Sequence, residues 1–225
     1  EGDEIERVRG EAMGGGEALS YGGRISAGDL IGVPDLLRRE GDGYVAGDIK
    51  SGSGEEGQDD KTKFKKHYGV QVALYTDILE QLGVGSSRTP FIWDVHGEEV
   101  AYDLEEPQGV RNPWTLWEVY QDALAQARGI IQHHKTTRPA YGGVCKLCHW
   151  YTVCQADLES SDDLTLIPEL GRVKRDVMIN QIPTISDLAS INVDGFVNGK
   201  KTVFSGVGPG TLVKFHERAK LIKTP

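Results

Sequence analysis

Apolar residues recur with two different periods along this chain, and together the periods predict an α/β fold. Alternating or continuous apolar runs predict strands at residues 24–40, 44–50, 91–95 and 99–104. Glycines on both sides of Asp42 predict a hairpin turn between the first two strands, and His96-Gly97 predicts a turn between the last two. Pro34 predicts a bend in the first strand, because proline has no N–H to donate to a sheet.

Helical spacing marks two long segments. Residues 68–82 and a segment from Trp114 to about His134 carry apolar side chains three and four positions apart. Asn112-Pro113 predicts the start of the second helix, since asparagine caps helices and proline suits the first helical position. A shorter helix is expected around residues 4–13. Residues 51–63, rich in glycine, serine and charge, predict a mobile loop.

The composition changes after residue 158. Residues 159–163 indicate a linker, and residues 165–225 contain short helical pieces, one of them opening within Ile182–Leu188. We therefore expect two domains, a larger α/β domain at 1–158 and a small all-α domain at 165–225. A length of 225 residues accommodates both.

Charge and composition limit the partners. No apolar run reaches the roughly 18 residues of a membrane span, so we expect no membrane contact. The clustering of the three cysteines indicates a reducing, cytoplasmic location. The net charge of −9 argues against a nucleic-acid partner. However, residues 196–225 hold six basic side chains and one acidic, and Lys63, Lys65 and Lys66 lead into the first long helix. Local patches decide phosphate contact, although lysine runs are commonly just solvated surface.

Acidic, basic and amide side chains cluster around the second predicted strand. Side chains alternate between the faces of a strand, so Asp48 and Lys50 share one face. Asp35 lies thirteen positions before Asp48. Paired carboxylates suit Mg²⁺, and a neighbouring ammonium can orient water or stabilise developing phosphate charge. Gln71 and Tyr75 share one helix face. Each residue alone could be an ordinary surface or packing residue, but the set indicates metal-assisted phosphodiester hydrolysis.

These residues resemble the motifs of the PD-(D/E)xK nuclease superfamily. Pro34-Asp35 resembles the "PD" element and Asp48-Ile49-Lys50 the "(D/E)xK" element. Gln71-x-x-x-Tyr75 resembles the element of the RecB-like branch, which includes CRISPR-associated iron–sulfur exonucleases. The resemblance implies a restriction-endonuclease-like core, a mixed sheet flanked by helices.

The resemblance also implies roles. Asp35, Asp48 and the Ile49 carbonyl would hold Mg²⁺ or Mn²⁺, and Lys50 would position the attacking water. Gln71 and Tyr75 would orient the substrate strand or the lysine. Relatives carry a further metal-site residue on an N-terminal helix. Nothing before Asp35 matches it, so we expect the core to be incomplete at its N-terminus.

Three cysteines lie within ten residues, as Cys145-x-x-Cys148-x5-Cys154. Such spacing is common to zinc and iron–sulfur sites, and one ligand is lacking. His149 could complete a zinc site, and plain packing thiols are a third option. The resemblance favours a 4Fe–4S cluster, because one RecB-like branch ends in C-x2-C-x5-C. Its fourth ligand would lie outside this chain.

The Gly206–Gly210 turn resembles the hairpin of a helix–hairpin–helix module, as in nucleases that join such repeats to a RecB-like domain. The backbone of Gly206, Gly208 and Gly210, with Lys214 on the next helix, would then contact DNA phosphates. The alternatives are a plain helical turn and a protein-docking domain.

The combined expectation is a metal-dependent DNA nuclease, an exonuclease acting on single-stranded or end-containing DNA. It would serve repair, recombination or defence, with a further domain or a helicase as partner. One alternative is a non-catalytic DNA-binding module stapled by its cluster. Another is a zinc-bound protein-interaction domain.

Overall fold

The computed structural model describes residues 16–57, 63–109 and 113–224. The chain divides into two compact units, Glu1–Lys135 and Thr136–Pro225. Each unit has its own hydrophobic core. The helix expected around residues 4–13 lies outside the described residues.

Eleven short strands lie in the described ranges. They are β1 (Leu19–Tyr21), β2 (Ile25–Ala27), β3 (Leu30–Gly32), β4 (Leu36–Glu40), β5 (Gly43–Ile49), β6 (Glu55–Glu56), β7 (Lys63–Phe64), β8 (Phe91–Trp93), β9 (Glu99–Ala101), β10 (Val197–Asn198) and β11 (Lys201–Thr202). The central sheet of the first unit has the order β1-β4-β5-β8-β9. Strands β5 and β8 are parallel and the other neighbours antiparallel, so the sheet is mixed.

Two helices share the hydrophobic core of this sheet. Helix α1 (Lys66–Gln81) lies between β5 and β8 in the chain, and α2 (Leu116–Ile131) packs against α1. Their buried side chains join Leu37, Ala46 and Ile92 of the sheet in one core. The predicted mixed sheet flanked by helices is therefore confirmed.

The predicted strand at 24–40 and the predicted start of the second long helix were wrong. The segment 24–40 is not one strand: β2 and β3 pair with each other as a hairpin, and β4 starts after Pro34. Gly28 has a φ of 58°, which supplies the tight turn. Helix α2 begins at Leu116, because Thr115 and Glu118 form a reciprocal capping box there.

The segment after β5 is anchored in its described part. Gly54 donates its N–H to the Asp94 carboxylate over 3.1 Å, and the Tyr102 hydroxyl donates to the Gly54 carbonyl. The Asp94 carboxylate also accepts from the N–H groups of His96 and Glu98. The described part of the expected loop also contains β6, which pairs with β7, and residues 58–62 lie outside the described ranges.

The second unit is mainly helical. Its helices are α3 (Tyr151–Ser160), α4 (Gly171–Met178), α5 (Ile185–Ser190) and α6 (Pro209–Lys223), and β10 and β11 add a small hairpin. The predicted linker at 159–163 is wrong, because α3 extends to Ser160 and Asp163 is buried. The Asp163 carboxylate pairs with the buried Arg175 guanidinium over 3.3 Å.

Candidate active site

Two carboxylates meet where β4 begins and β5 ends. Asp35 directly precedes β4, and Asp48 is the penultimate residue of β5. Leu36 pairs with Gly47 in the antiparallel ladder, so the two acids lie at the same edge. The Asp35 Oδ2 atom accepts the Ile49 N–H over 2.8 Å, which fixes Asp35 against the end of β5.

A hydrogen-bonded chain links Lys50, which directly follows β5, to helix α1. The Lys50 ammonium contacts the Asp48 carboxylate and donates to the side-chain amide oxygen of Gln71 over 2.7 Å. The Gln71 amide donates to the Tyr75 hydroxyl over 2.8 Å, and that hydroxyl donates to the Val33 carbonyl over 3.3 Å. The chain therefore starts at β5, crosses α1 and returns to the backbone just before Pro34.

Burial sets the electrostatics of this site. Asp48 is only 3% exposed. Burial raises the pKa of its carboxyl, the neighbouring Asp35 raises it further, and Lys50 opposes the rise. Burial likewise raises the pKa of Tyr75, with added effect from the charges of Asp48 and Asp35. Negative charge on Asp48 is therefore only partly compensated by Lys50.

The donor set suits a hard divalent cation. Within the described residues, the Asp48 Oδ2 atom is buried against Lys50 and accepts no hydrogen bond of regular geometry. A second carboxylate, that of Asp35, adjoins it, and both offer oxygen. Across the described ranges, no three His, Cys, Asp or Glu side chains group as a metal site. The two acids are thus a partial oxygen site.

Comparison with known families decides the relationship. Residues 3–155 match the family model of the PD-(D/E)XK nuclease superfamily. The chain belongs to this superfamily. No curated protein matches the chain. The predicted superfamily is confirmed, and membership implies metal-dependent nuclease activity on nucleic acid. PD-(D/E)XK nucleases use divalent metals such as Mg²⁺ or Mn²⁺.

Close packing against β3 holds the Tyr75 ring in place. A Cβ atom at Gly32 would lie 2.6 Å from the Tyr75 ring, so only glycine leaves room for that ring. Tyr75 is thereby placed beneath the end of β3, within reach of the Val33 carbonyl. Sequence reasoning did not find Val33, because its role rests on a backbone atom.

The sequence analysis also missed Tyr68 and Asp94. Tyr68 precedes Gln71 by three positions, so the helical period that links Gln71 to Tyr75 could have found it. Asp94 follows β8, the parallel neighbour of β5, and its carboxylate holds Gly54 beyond the end of β5. Burial alone would raise the pKa of Asp94, but three backbone N–H groups bring it below its ordinary value.

The predicted DNA-binding lysines of the PD-(D/E)XK core differ in their surroundings. Lys63 and Lys66 are exposed, whereas Lys65 is half-buried beside Tyr68. Lys65 immediately precedes α1 and donates its backbone N–H to the Tyr102 hydroxyl over 3.3 Å. Only Lys65 of the three is therefore fixed near the motif residues.

The three cysteines of the second unit are free thiols. Cys145 lies in a 3₁₀ turn (Gly143–Leu147) and Cys154 in α3, with the exposed Cys148 between them. The Gly142 N–H donates to the Cys145 sulfur over 3.2 Å. Within the described residues, the three thiols do not converge as a metal site.

The predicted glycine turn directly precedes α6. Gly206 has a φ of 74°, in the left-handed region that favours glycine, and Gly208 caps the helix. The Lys214 ammonium, however, pairs with the Glu169 carboxylate over 2.5 Å, and Arg218 pairs with the same carboxylate over 3.2 Å. These two cations are therefore already engaged. No helix in the described residues is long and apolar enough to cross a membrane.

Proposed function

We propose that this chain is the catalytic part of a RecB-like, metal-dependent DNA nuclease. The observation that carries the proposal is the hydrogen-bonded chain from Asp48 through Lys50 and Gln71 to Tyr75. Gln71 and Tyr75 form the element that resembles the RecB-like branch, and both act on the lysine of the superfamily motif. A chance surface pair on a helix would have no reason to meet that lysine.

Asp35 and Asp48 would hold the metal ion, with the Ile49 carbonyl as a further oxygen ligand. Bound there, Mg²⁺ or Mn²⁺ would supply Lewis-acid polarisation of the phosphodiester and lower the pKa of water. The buried, partly compensated Asp48 carboxylate supports this assignment, because a cation would relieve its unfavourable charge.

Lys50 would position the attacking water or a phosphate oxygen. An ammonium has three N–H donors, of which Gln71 takes one, while Asp48 contacts the group as an ion pair. Donor capacity therefore remains for a water molecule or the substrate. The contacts favour the lysine, not the substrate strand, as the group that Gln71 and Tyr75 orient.

The substrate proposed is DNA, single-stranded or with a free end, cut as an exonuclease would in repair, recombination or defence. The glycine turn before α6 supports phosphate contact through Gly206, Gly208 and Gly210, because it presents a helix N-terminus without an acidic cap. Lys214 contributes to this surface only when its pairing with Glu169 opens.

We also propose that Cys145, Cys148 and Cys154 supply three ligands of a 4Fe–4S cluster. All three thiols are free and lie in one short surface segment, and a backbone N–H already points at the Cys145 sulfur. Such N–H contacts tune the thiolates of clusters. Zinc is the alternative metal for the same ligands.

Cleavage assays on Lys50→Ala test the catalytic proposal. The variant should lose metal-dependent cleavage of single-stranded DNA while keeping most DNA affinity, because the ammonium acts chiefly on the reacting phosphate. Lys135→Ala, a change at an exposed lysine outside the proposed sites, is the control. The assays use the full-length protein, and DNA binding by its wild type without any cleavage in Mg²⁺ or Mn²⁺ would instead favour a non-catalytic DNA-binding module.

A further inference from the structure

A second ammonium group lies beside the proposed active site, on the ring of Tyr68. Tyr68, Gln71 and Tyr75 follow one another at helical spacing on α1. The Lys50 ammonium lies 5.3 Å from the centre of the Tyr68 ring, and the Lys65 ammonium lies 5.2 Å from it. Both distances fall within the range of cation–π attraction. The Tyr68 ring therefore attracts both ammonium groups.

The backbone just beyond Lys50 closes around the same two groups. A Cβ atom at Gly52 would lie 3.0 Å from the Tyr68 hydroxyl and 3.6 Å from the Lys65 ammonium. The segment after β5 and the start of α1 thus converge here. A side chain at position 52 would press on Tyr68.

The two ammonium groups have different partners. Lys50 is bound by Asp48 and Gln71. Lys65, by contrast, forms no ion pair with any side chain in residues 16–57, 63–109 and 113–224, although its backbone is fixed by Tyr102. Held in place and without an ion pair in the described residues, Lys65 can accept an anion there without first breaking a salt bridge. A lysine binds phosphate as a compact point charge.

We propose that Lys65 binds a phosphate of the nucleic-acid strand next to the one positioned by Lys50, and that the Tyr68 ring sets the spacing between the two. This inference rests on the proposed nuclease function. It assigns Lys65 to ground-state binding and leaves the reacting phosphate to Lys50. The aromatic ring, not the hydroxyl, is the part of Tyr68 that the assignment needs.

Salt-dependent binding separates this role from general surface charge. Fluorescence anisotropy of a short single-stranded DNA oligonucleotide, without divalent metal, gives the affinity across a salt series. Lys65→Gln should weaken binding several-fold and reduce the slope of log affinity against log salt by about 0.7, the effect of one lost phosphate contact. Lys135→Gln should leave both affinity and slope unchanged, and Lys66→Gln should cost less affinity than Lys65→Gln.

The Tyr68 variants provide the second measurement. Tyr68→Phe keeps the ring and should bind as the wild type does, whereas Tyr68→Leu should show the loss seen for Lys65→Gln. If Lys65→Gln binds like Lys135→Gln, or if Tyr68→Leu binds like Tyr68→Phe, the subsite is refuted while the nuclease proposal stands. If the wild type binds no nucleic acid at any salt concentration, the proposed function itself fails.

Discussion

Replacing Tyr75 by phenylalanine removes one hydroxyl group from the proposed active site and leaves the rest in place. The ring, 5% exposed, would stay packed against Gly32, so the apolar burial hardly changes. Two hydrogen bonds are lost: the one accepted from the Gln71 amide over 2.8 Å and the one donated to the Val33 carbonyl over 3.3 Å.

The contacts set the expected magnitude. A typical hydrogen bond contributes about 1 kcal/mol net, and a partner left buried and unpaired costs about 1–3 kcal/mol. Val33 is 56% exposed, so water can reach that residue, and Gln71 is half-buried. We therefore expect the free energy of unfolding to fall by about 1–2 kcal/mol. Gln71 also becomes free to turn away from Lys50, and displacement of a positioned group by about 1 Å can cost up to ~10²-fold in rate.

Tyr120→Phe is the matched control. Tyr120, 3% exposed, lies on α2 and donates its hydroxyl to the Asp77 carboxylate over 2.5 Å, away from the motif residues. Urea unfolding followed by tryptophan fluorescence should show both variants destabilised. Metal-dependent DNA cleavage should fall at least ~10-fold for Tyr75→Phe alone. Equal cleavage by the two variants would show that the Gln71–Tyr75 pair serves packing and does not orient Lys50.

Three further outcomes are expected. Asp48→Asn should abolish Mn²⁺ binding in titration calorimetry, and binding retained by the variant would move the site elsewhere. As the pH is lowered, the wild-type affinity for Mn²⁺ should begin to fall above the ordinary pKa of aspartate. The reason is that burial raises the Asp48 pKa, so that protons compete with the metal. Cys148→Ser should remove iron and visible absorption from anaerobically purified protein, and stoichiometric zinc without iron would refute the cluster. Glu169→Gln should release Lys214 and Arg218, tightening DNA binding and steepening its salt dependence. An unchanged salt slope in this variant would show that Lys214 and Arg218 do not face the DNA strand. Both cations lower the pKa of Glu169 in the wild type. Their pairing is therefore present above the ordinary carboxyl pKa and is lost as the pH falls through the lowered pKa of Glu169.

The local sequence pattern correctly predicted the strand and the helix nearest the site. The strand expected at 44–50 is Gly43–Ile49, and the helix expected at 68–82 is Lys66–Gln81. The turn at Gly41-Asp42 was also correct, since Glu40 pairs with Gly43 across it. These succeed because a buried hairpin and an amphipathic helix each leave a period in the sequence that no distant contact overrides.

Other features depend on contacts between distant residues. One wrong prediction overlooked a local signal instead: Gly28-Asp29 is a two-residue hairpin sequence between β2 and β3, and Pro34 lies before β4. Local pattern places Gln71 and Tyr75 on one helix face without saying that Lys50 and the Val33 carbonyl lie opposite it. Lys214 was predicted to contact DNA phosphates. Glu169, 45 positions before Lys214, pairs with Lys214 and with Arg218, which no spacing rule reveals.

The site also explains why the element on α1 combines an amide with a phenol. The side chain at position 71 must accept from the Lys50 ammonium and donate to the Tyr75 hydroxyl at once, and an amide carries both groups on separate atoms of one head. A glutamate at this position would lose the donor. It would also bring a third negative charge to Asp35 and Asp48, raising the pKa of Asp48 further and drawing the ammonium away from it.

A neutral amide therefore holds Lys50 without competing for its charge. The ammonium remains available to Asp48, whose buried carboxylate it compensates only in part. The phenol completes the arrangement because a hydroxyl can accept from Gln71 and still donate to the Val33 carbonyl. This last contact fixes the chain immediately before Pro34, and so ties the position of Asp35 to that of Lys50. The amide–phenol pair thus couples both carboxylates of the proposed metal site to a single helix.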